Sequence, residues 1–75
     1  MIFSMVRRIL AKQLEISPEL IEMDTDIIQD LGADSLDIVE LITALEEELG
    51  IVITDEKAGG LTSVRQIVEF AEGLQ

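Results

Sequence analysis

The sequence predicts a small all-α protein, a four-helix bundle of three main helices and one short helix. A long loop is expected between helices 1 and 2. Two observations predict this class: apolar residues recur at helical spacing in three separate segments, and no segment is long enough for a sheet strand with a partner. The 75 residues, 48% of them hydrophobic, have room for one core. We therefore expect a single domain over residues 1–75.

The first helix is predicted over residues 2–15, because apolar side chains fall on one side there and basic or polar ones on the other. The apolar side comprises Ile2, Val6, Ile9, Leu10 and Leu14. Ser17 followed by Pro18 then predicts a capped short turn, since proline suits the first helical position.

A long loop is predicted from residue 23 to residue 34, where no hydrophobic period is sustained. Its apolar residues Ile27, Ile28 and Leu31 are expected to anchor it across the helices. The loop is thus predicted to be packed against the bundle.

The second helix has the clearest pattern, with an apolar stripe made of Ile38, Leu41, Ile42, Leu45 and Leu49. Gly50 predicts its end, where a residue at positive φ is favoured. Glu46, Glu47 and Glu48 lie near the negative end of the helix dipole, which is unfavourable. We therefore expect these carboxylates to serve something other than stability.

The remaining third of the chain predicts a connector and two helices. Residues 51–53 are strand-like in composition but too few for a sheet, so an extended connector is expected. Residues 55–58 predict one helical turn, which Gly59 and Gly60 break. The last helix is predicted to begin with a capping box of Ser63 and Gln66 and to end near Gly73. Its apolar face comprises Val64, Ile67, Val68 and Ala71.

Composition argues against an enzyme. The chain has neither cysteine nor histidine, so disulfides, thiolate zinc sites, cysteine nucleophiles and the usual neutral-pH acid–base group are excluded. The start of a calcium loop at Asp24 fails because Ile28, Gln29 and Ser35 occupy its fifth, sixth and twelfth positions. We expect no catalytic residues and no metal site.

The net charge is strongly negative, at −11. No Lys or Arg occurs from residue 13 to residue 56, and fourteen carboxylates lie there: Glu15, Glu19, Glu22, Asp24, Asp26, Asp30, Asp34, Asp37, Glu40, Glu46, Glu47, Glu48, Asp55 and Glu56. Such a field repels nucleic acid and anionic lipid and attracts basic protein surfaces, although solubility alone also explains it. Because no apolar run is long enough to span a membrane and the start is a poor signal peptide, we expect a cytoplasmic monomer.

Ser35 lies at the predicted start of the second helix and has two interpretations. It is a preferred residue for a helix N-cap, which would make it purely structural. Alternatively, Asp34 caps the helix with Asp37 three residues on, and the serine hydroxyl faces solvent. A helix N-terminus favours a phosphate, so the hydroxyl is then well placed to become a phosphodiester. No base in this chain would activate it, so another protein must do so.

Residues 30–41, DLGADSLDIVEL, resemble the attachment region of acyl carrier proteins, and the likeness continues through residues 44–50, 55–56 and 62–64. The resemblance implies that Ser35 carries 4′-phosphopantetheine, added from coenzyme A by a phosphopantetheinyl transferase. The arm's thiol would carry acyl groups as thioesters to fatty acid synthesis enzymes. Basic surfaces of fatty-acid or polyketide synthesis enzymes would meet the partner-binding residues Asp34, Leu36, Asp37, Glu40 and Glu47, with the acids near the helix end as recognition surface.

Two alternatives to a fatty-acid carrier remain open. A specialised carrier would hold polyketide, aminoacyl or D-alanyl cargo on the same arm. An acidic helical adaptor would be unmodified, with Ser35 only as a cap. Thr43, Ile38, Val52 and Lys57 depart from the pattern common among relatives, which fits either a specialised partner set or surface drift.

The carboxylate excess predicts that the fold is weakened by charge repulsion at neutral pH and low salt. We expect the melting temperature to rise when sodium chloride or magnesium chloride is added, because both screen the repulsion. Thermal melts followed by circular dichroism measure this. A melting temperature that neither salt changes would mean that the charges are already compensated.

Overall fold

The computed structural model describes residues 2–74. Four helices follow one another, α1 (Ile2–Leu14), α2 (Ser35–Leu49), α3 (Asp55–Ala58) and α4 (Val64–Gly73), and a 3₁₀ turn covers Pro18–Leu20. No strand occurs within residues 2–74 apart from one isolated bridge. The predicted all-α bundle of three main helices and one short helix is confirmed.

The core is aliphatic and joins all the main helices. Its largest fully buried side chains are Val6, Leu10, Ile21, Ile27, Leu41, Leu45, Val64 and Ile67. Burying each one contributes about 1.5–3 kcal/mol relative to leaving it exposed. The predicted apolar faces of α2 and α4 are the buried faces, except that Leu49 is only half-buried.

α1 ends one residue before the predicted end. Glu15 adopts φ 56°, in the left-handed region, and the Ile16 N–H donates to the Ala11 carbonyl at 3.0 Å. This is the bond pattern that closes a helix with a left-handed residue. The helix predicted over about residues 2–15 is therefore confirmed to within one residue. The positive φ of Glu15 was not predicted, because nothing in a glutamate side chain signals it.

The long loop between α1 and α2 is hydrogen-bonded to the start of α4 and the residues just before it. The Ile27 N–H donates to the Thr62 carbonyl at 2.9 Å, and the Val64 N–H donates to the Thr25 carbonyl at 3.0 Å. These bonds flank an isolated antiparallel bridge between Asp26 and Ser63. The loop is thus packed, as predicted, although sequence did not predict the bridge.

The three expected apolar anchors of the loop differ in burial. Ile27 is fully buried and Leu31 is half-buried, as an anchor requires. Ile28 is 38% exposed, so it is not a core anchor. Its side chain lines a cavity beside α2, described below.

The three carboxylates at the end of α2 have different surroundings. The Glu46 carboxylate accepts from the Ile53 N–H at 2.6 Å. Glu48 accepts two hydrogen bonds from Arg8 of α1, at 2.9 and 3.0 Å, whereas Glu47 is exposed. The expectation that all three serve something other than stability was therefore wrong for Glu46. It remains a prediction for Glu47 and for Glu48, whose pair with Arg8 is exposed.

The segments after α2 follow their predictions. Gly50 adopts φ 67° and closes α2, and residues 51–54 connect it, without helix or strand, to the single turn of α3. α4 begins with the predicted capping box, in which Ser63 and Gln66 each accept from the other's backbone N–H.

Arg7 connects α1 to the turn that follows it. Its guanidinium donates twice to the Ile21 carbonyl, at 3.0 and 2.7 Å. It also lies 4.7 Å above the centre of the Phe3 ring and 3.8 Å from the Glu22 carboxylate. A lysine at this position has neither the planar fork nor the stacking surface.

We expect Arg7→Lys to lower the free energy of unfolding by about 1–3 kcal/mol, because a charge-assisted bond to a half-buried carbonyl is lost. Arg8→Lys is the matched control, since its pair with Glu48 is exposed and should change stability by less than about 0.5 kcal/mol. Urea unfolding of both variants measures the difference. Equal losses would contradict a special role for Arg7.

Candidate functional site

The start of α2 is fixed by a reciprocal pair of carboxylates. Asp34 is the N-cap, and its Oδ1 accepts from the Asp37 N–H at 3.0 Å. In return, Asp37 Oδ2 accepts from the Asp34 N–H at 3.1 Å. This capping box satisfies two backbone donors and places negative charge where the helix dipole favours it.

Ser35 is therefore the first residue inside the helix and not its cap. Its side chain is exposed, and the cap oxygen is supplied by Asp34. The interpretation of Ser35 as the N-cap was wrong, and the alternative in which Asp34 caps the helix is confirmed. Among residues 2–74, no hydrogen bond to the hydroxyl of Ser35 is found, so its oxygen is open to chemistry with a partner.

The first turn of α2 also offers unused backbone donors. The Asp37 N–H is taken by the Asp34 side chain, and the Ile38 N–H donates to the Asp34 carbonyl at 3.4 Å. Within the described chain, the N–H groups of Ser35 and Leu36 have no such acceptor. Unpaired donors at a helix N-terminus favour a bound phosphate group.

Three of the expected partner-binding residues share the outer face of α2. Leu36, Glu40 and Glu47 are exposed and fall close together around the helix axis, and Leu36 is 64% exposed. Asp34 and Asp37 lie instead at the helix start, each with one oxygen engaged in the capping box. The structure thus separates the five expected residues into a helix face and a cap.

An apolar cavity of about 140 Å³ opens beside Ser35. Its walls come from the long loop, α2, the end of α3 and the segment before α4. The lining residues are Ile28, Ser35, Ile38, Val39, Ala58, Gly59, Leu61 and Thr62. No charged side chain is among them, so the cavity fits an aliphatic group better than a charged one.

A second cavity, of about 440 Å³, lies between α1 and α2. It is larger, but Arg8, Lys12 and Glu48 line it and Ser35 does not. The Arg8–Glu48 pair spans this groove. Because the lining of this groove is charged and does not include Ser35, the smaller cavity is the better candidate for function.

Sequence reasoning missed most of the cavity walls. Val39 was a usable signal in the sequence, because it is apolar but lies outside the predicted apolar stripe of α2. In the structure it is 47% exposed. Leu61, which follows the two glycines, carries no such signal. Within residues 2–74, no group of three or more carboxylates is arranged to hold a metal ion, and no helix is long and apolar enough to cross a membrane.

Comparison with known proteins gives one consistent result. Residues 5–71 match the family model described as a phosphopantetheine attachment site. An acyl carrier protein of Campylobacter hominis is 47% identical over 73 residues, which cover 97% of this chain and 92% of the relative. Acyl carrier proteins of Trieres chinensis and Treponema denticola are 46% and 45% identical, covering 93% and 99% of this chain and 88% and 95% of the relatives.

The cap geometry predicts opposite results for two adjacent residues. We expect Asp34→Ala to lower the free energy of unfolding by about 0.5–2 kcal/mol, because the N-cap acceptor is lost. Ser35→Ala should change it by no more than about 0.5 kcal/mol. Asp34→Asn is the control that keeps a good cap. If Ser35→Ala costs as much as Asp34→Ala in urea unfolding, the serine shares the capping role.

Proposed function

Because the chain belongs to the phosphopantetheine-attachment family of acyl carrier proteins, we propose that Ser35 is the residue to which its arm is attached. Proteins of this family are carriers and not catalysts, and the chain carries acyl groups on 4′-phosphopantetheine. When bound, the arm supplies a terminal thiol that holds acyl groups as thioesters. The usual role of such carriers is fatty acid biosynthesis.

The exposed hydroxyl at the start of α2 is the observation that carries the assignment to Ser35. Its oxygen is accessible, and the unpaired N–H groups of Ser35 and Leu36 are oriented to favour a phosphate at this end of the helix. The chain has no histidine or cysteine to activate the serine. A phosphopantetheinyl transferase must therefore supply the base and bring coenzyme A.

We further propose that the cavity beside Ser35 shelters the acyl chain. Its volume of about 140 Å³ is close to the roughly 150 Å³ of an engineered apolar cavity that binds benzene. A saturated chain of about six carbons is thus the size of cargo that the cavity accepts without enlarging. Ser35 lies at its edge, so an attached chain has a short path inward.

The cavity lining favours a fatty acyl cargo over the alternatives. An aminoacyl or D-alanyl group carries an ammonium, and no carboxylate lines the cavity to pair with it. Ser35 and Thr62 are the polar lining residues, and the Thr62 N–H already donates to Gln66. A reduced hydrocarbon chain fits these walls best.

The partner face proposed for this carrier is the outer side of α2, with Leu36, Glu40 and Glu47. Leu36 gives an apolar contact beside the attachment point, and the two carboxylates attract basic surfaces of synthesis enzymes. Exposed charges give fast, salt-sensitive and weak association, which suits a carrier that visits several enzymes in turn. We propose that it meets these enzymes in the cytoplasm.

The test is an intact mass after incubation with coenzyme A, magnesium and a broad-specificity phosphopantetheinyl transferase. We expect the wild-type chain to gain one phosphopantetheinyl group and Ser35→Ala to gain none. Ser4→Ala is the matched control, because Ser4 is an exposed serine on α1 far along the chain from the proposed site.

A gain that persists in Ser35→Ala would move the attachment to another residue. No gain in any variant, with a transferase active on another carrier, would contradict attachment to this chain. Circular dichroism of each sample shows that the variants are folded.

A further inference from the structure

We propose that Glu46 is a positioning residue that holds α3 against the cavity beside Ser35. The inference rests on the proposed role of that cavity as the place for the acyl chain. Glu46 touches neither the cavity nor Ser35; it acts through the connector that leads to α3. Its role is therefore to fix a wall of the cavity, and not to bind the cargo itself.

Glu46 accepts most of the backbone donors in the turn after α2. Its carbonyl accepts from the N–H groups of Gly50 and Ile51, at 2.9 and 3.2 Å. Its carboxylate Oε2 accepts from the Ile53 N–H at 2.6 Å. A charge-assisted bond of this length is stronger than a neutral one, so one residue sets the path of the connector.

Within the described chain, the connector makes few other hydrogen bonds, although Ile51 is half-buried against the core. Val52 is 81% exposed and contributes nothing to the core, whereas Ile53 is only 7% exposed. The bond from Glu46 is therefore made to the residue at which the chain re-enters the core. If that bond is lost, the N–H of Ile53 must find water, which loosens the burial of its side chain.

α3 depends on this anchor for its position. It is a single turn of four residues, and a helix so short has no stability of its own. At its other end, Ala58 is buried and lines the cavity together with Gly59. A shift of Ile53 is thus transmitted through one short turn to the cavity wall.

The neighbouring carboxylates do not share this contact. Glu47 is exposed, and Glu48 is turned towards Arg8 on the other side of α2. A negative charge in the last turn of a helix is unfavourable by itself. At residue 46 the bond to Ile53 offsets that cost, which explains why a carboxylate is found there.

The experiment compares wild type with Glu46→Ala, Glu46→Asp, Glu46→Gln and Glu72→Ala, in which an exposed glutamate near the end of α4 is removed. Each is loaded by the transferase from coenzyme A or from hexanoyl coenzyme A. The quantity measured is the rise in melting temperature from the pantetheine form to the hexanoyl form of the same variant. A purely structural role would lower both forms equally and leave this rise unchanged.

We expect wild type, Glu72→Ala and Glu46→Gln to keep the rise, since the glutamine amide oxygen still accepts from the Ile53 N–H. Glu46→Ala and Glu46→Asp should lose more than half of it, because alanine has no acceptor and aspartate is too short to reach. Glu46→Asp keeps the negative charge, so its result distinguishes the effect of side-chain length from the effect of charge. It also serves as the test if the alanine variant does not fold.

An unchanged rise in Glu46→Ala or Glu46→Asp would overturn the positioning role. Failure of the proposed function gives a different result: wild type would then not be loaded at Ser35, or hexanoylation would not raise its melting temperature. In that case the cavity is not the acyl site and the inference about Glu46 fails with it.

Discussion

The reciprocal bond between Asp34 and Asp37 is the constraint on which the rest of the site depends. It fixes the residue at which α2 begins, and so it places Ser35 inside the first turn with its hydroxyl outward. Had Ser35 been the cap, its oxygen would have been occupied by a backbone donor. The same box leaves the N–H groups of the first two helical residues to whatever binds there. Local helix chemistry thus prepares an attachment point without a catalytic group.

The acidic residues of α2 and its cap divide into two groups with different surroundings. Asp34, Asp37, Glu46 and Glu48 accept hydrogen bonds from the chain itself and define where the helix starts, how it turns and how it meets α1. Glu40 and Glu47 remain exposed on the outer face. A high negative charge is therefore compatible with a defined fold, because much of it is used for internal bonds. Internal bonding does not hide all of these charges, since Asp34 and Glu48 are exposed as well.

The sequence predicted the helices well, but it predicted few of the contacts that join them. The helical periods, Gly50 and the Ser63–Gln66 box are local signals, and each predicted its element. The bond between Glu46 and Ile53 and the bridge between the long loop and α4 join residues whose proximity is set by packing, so no local pattern indicates them. The cavity was not predicted for the same reason, because packing brings its walls together from four separate segments. Glu15 at positive φ was missed because its side chain gives no sign of it.

The bridge between Asp26 and Ser63 couples the approach to Ser35 to a part of the chain far from it in sequence. The loop that leads into α2 is ordered by backbone bonds to residues just before and within α4. Fraying at the start of α4 therefore breaks these bonds and loosens the loop as well. The two segments thus open as one unit, although α2 lies between them in the chain.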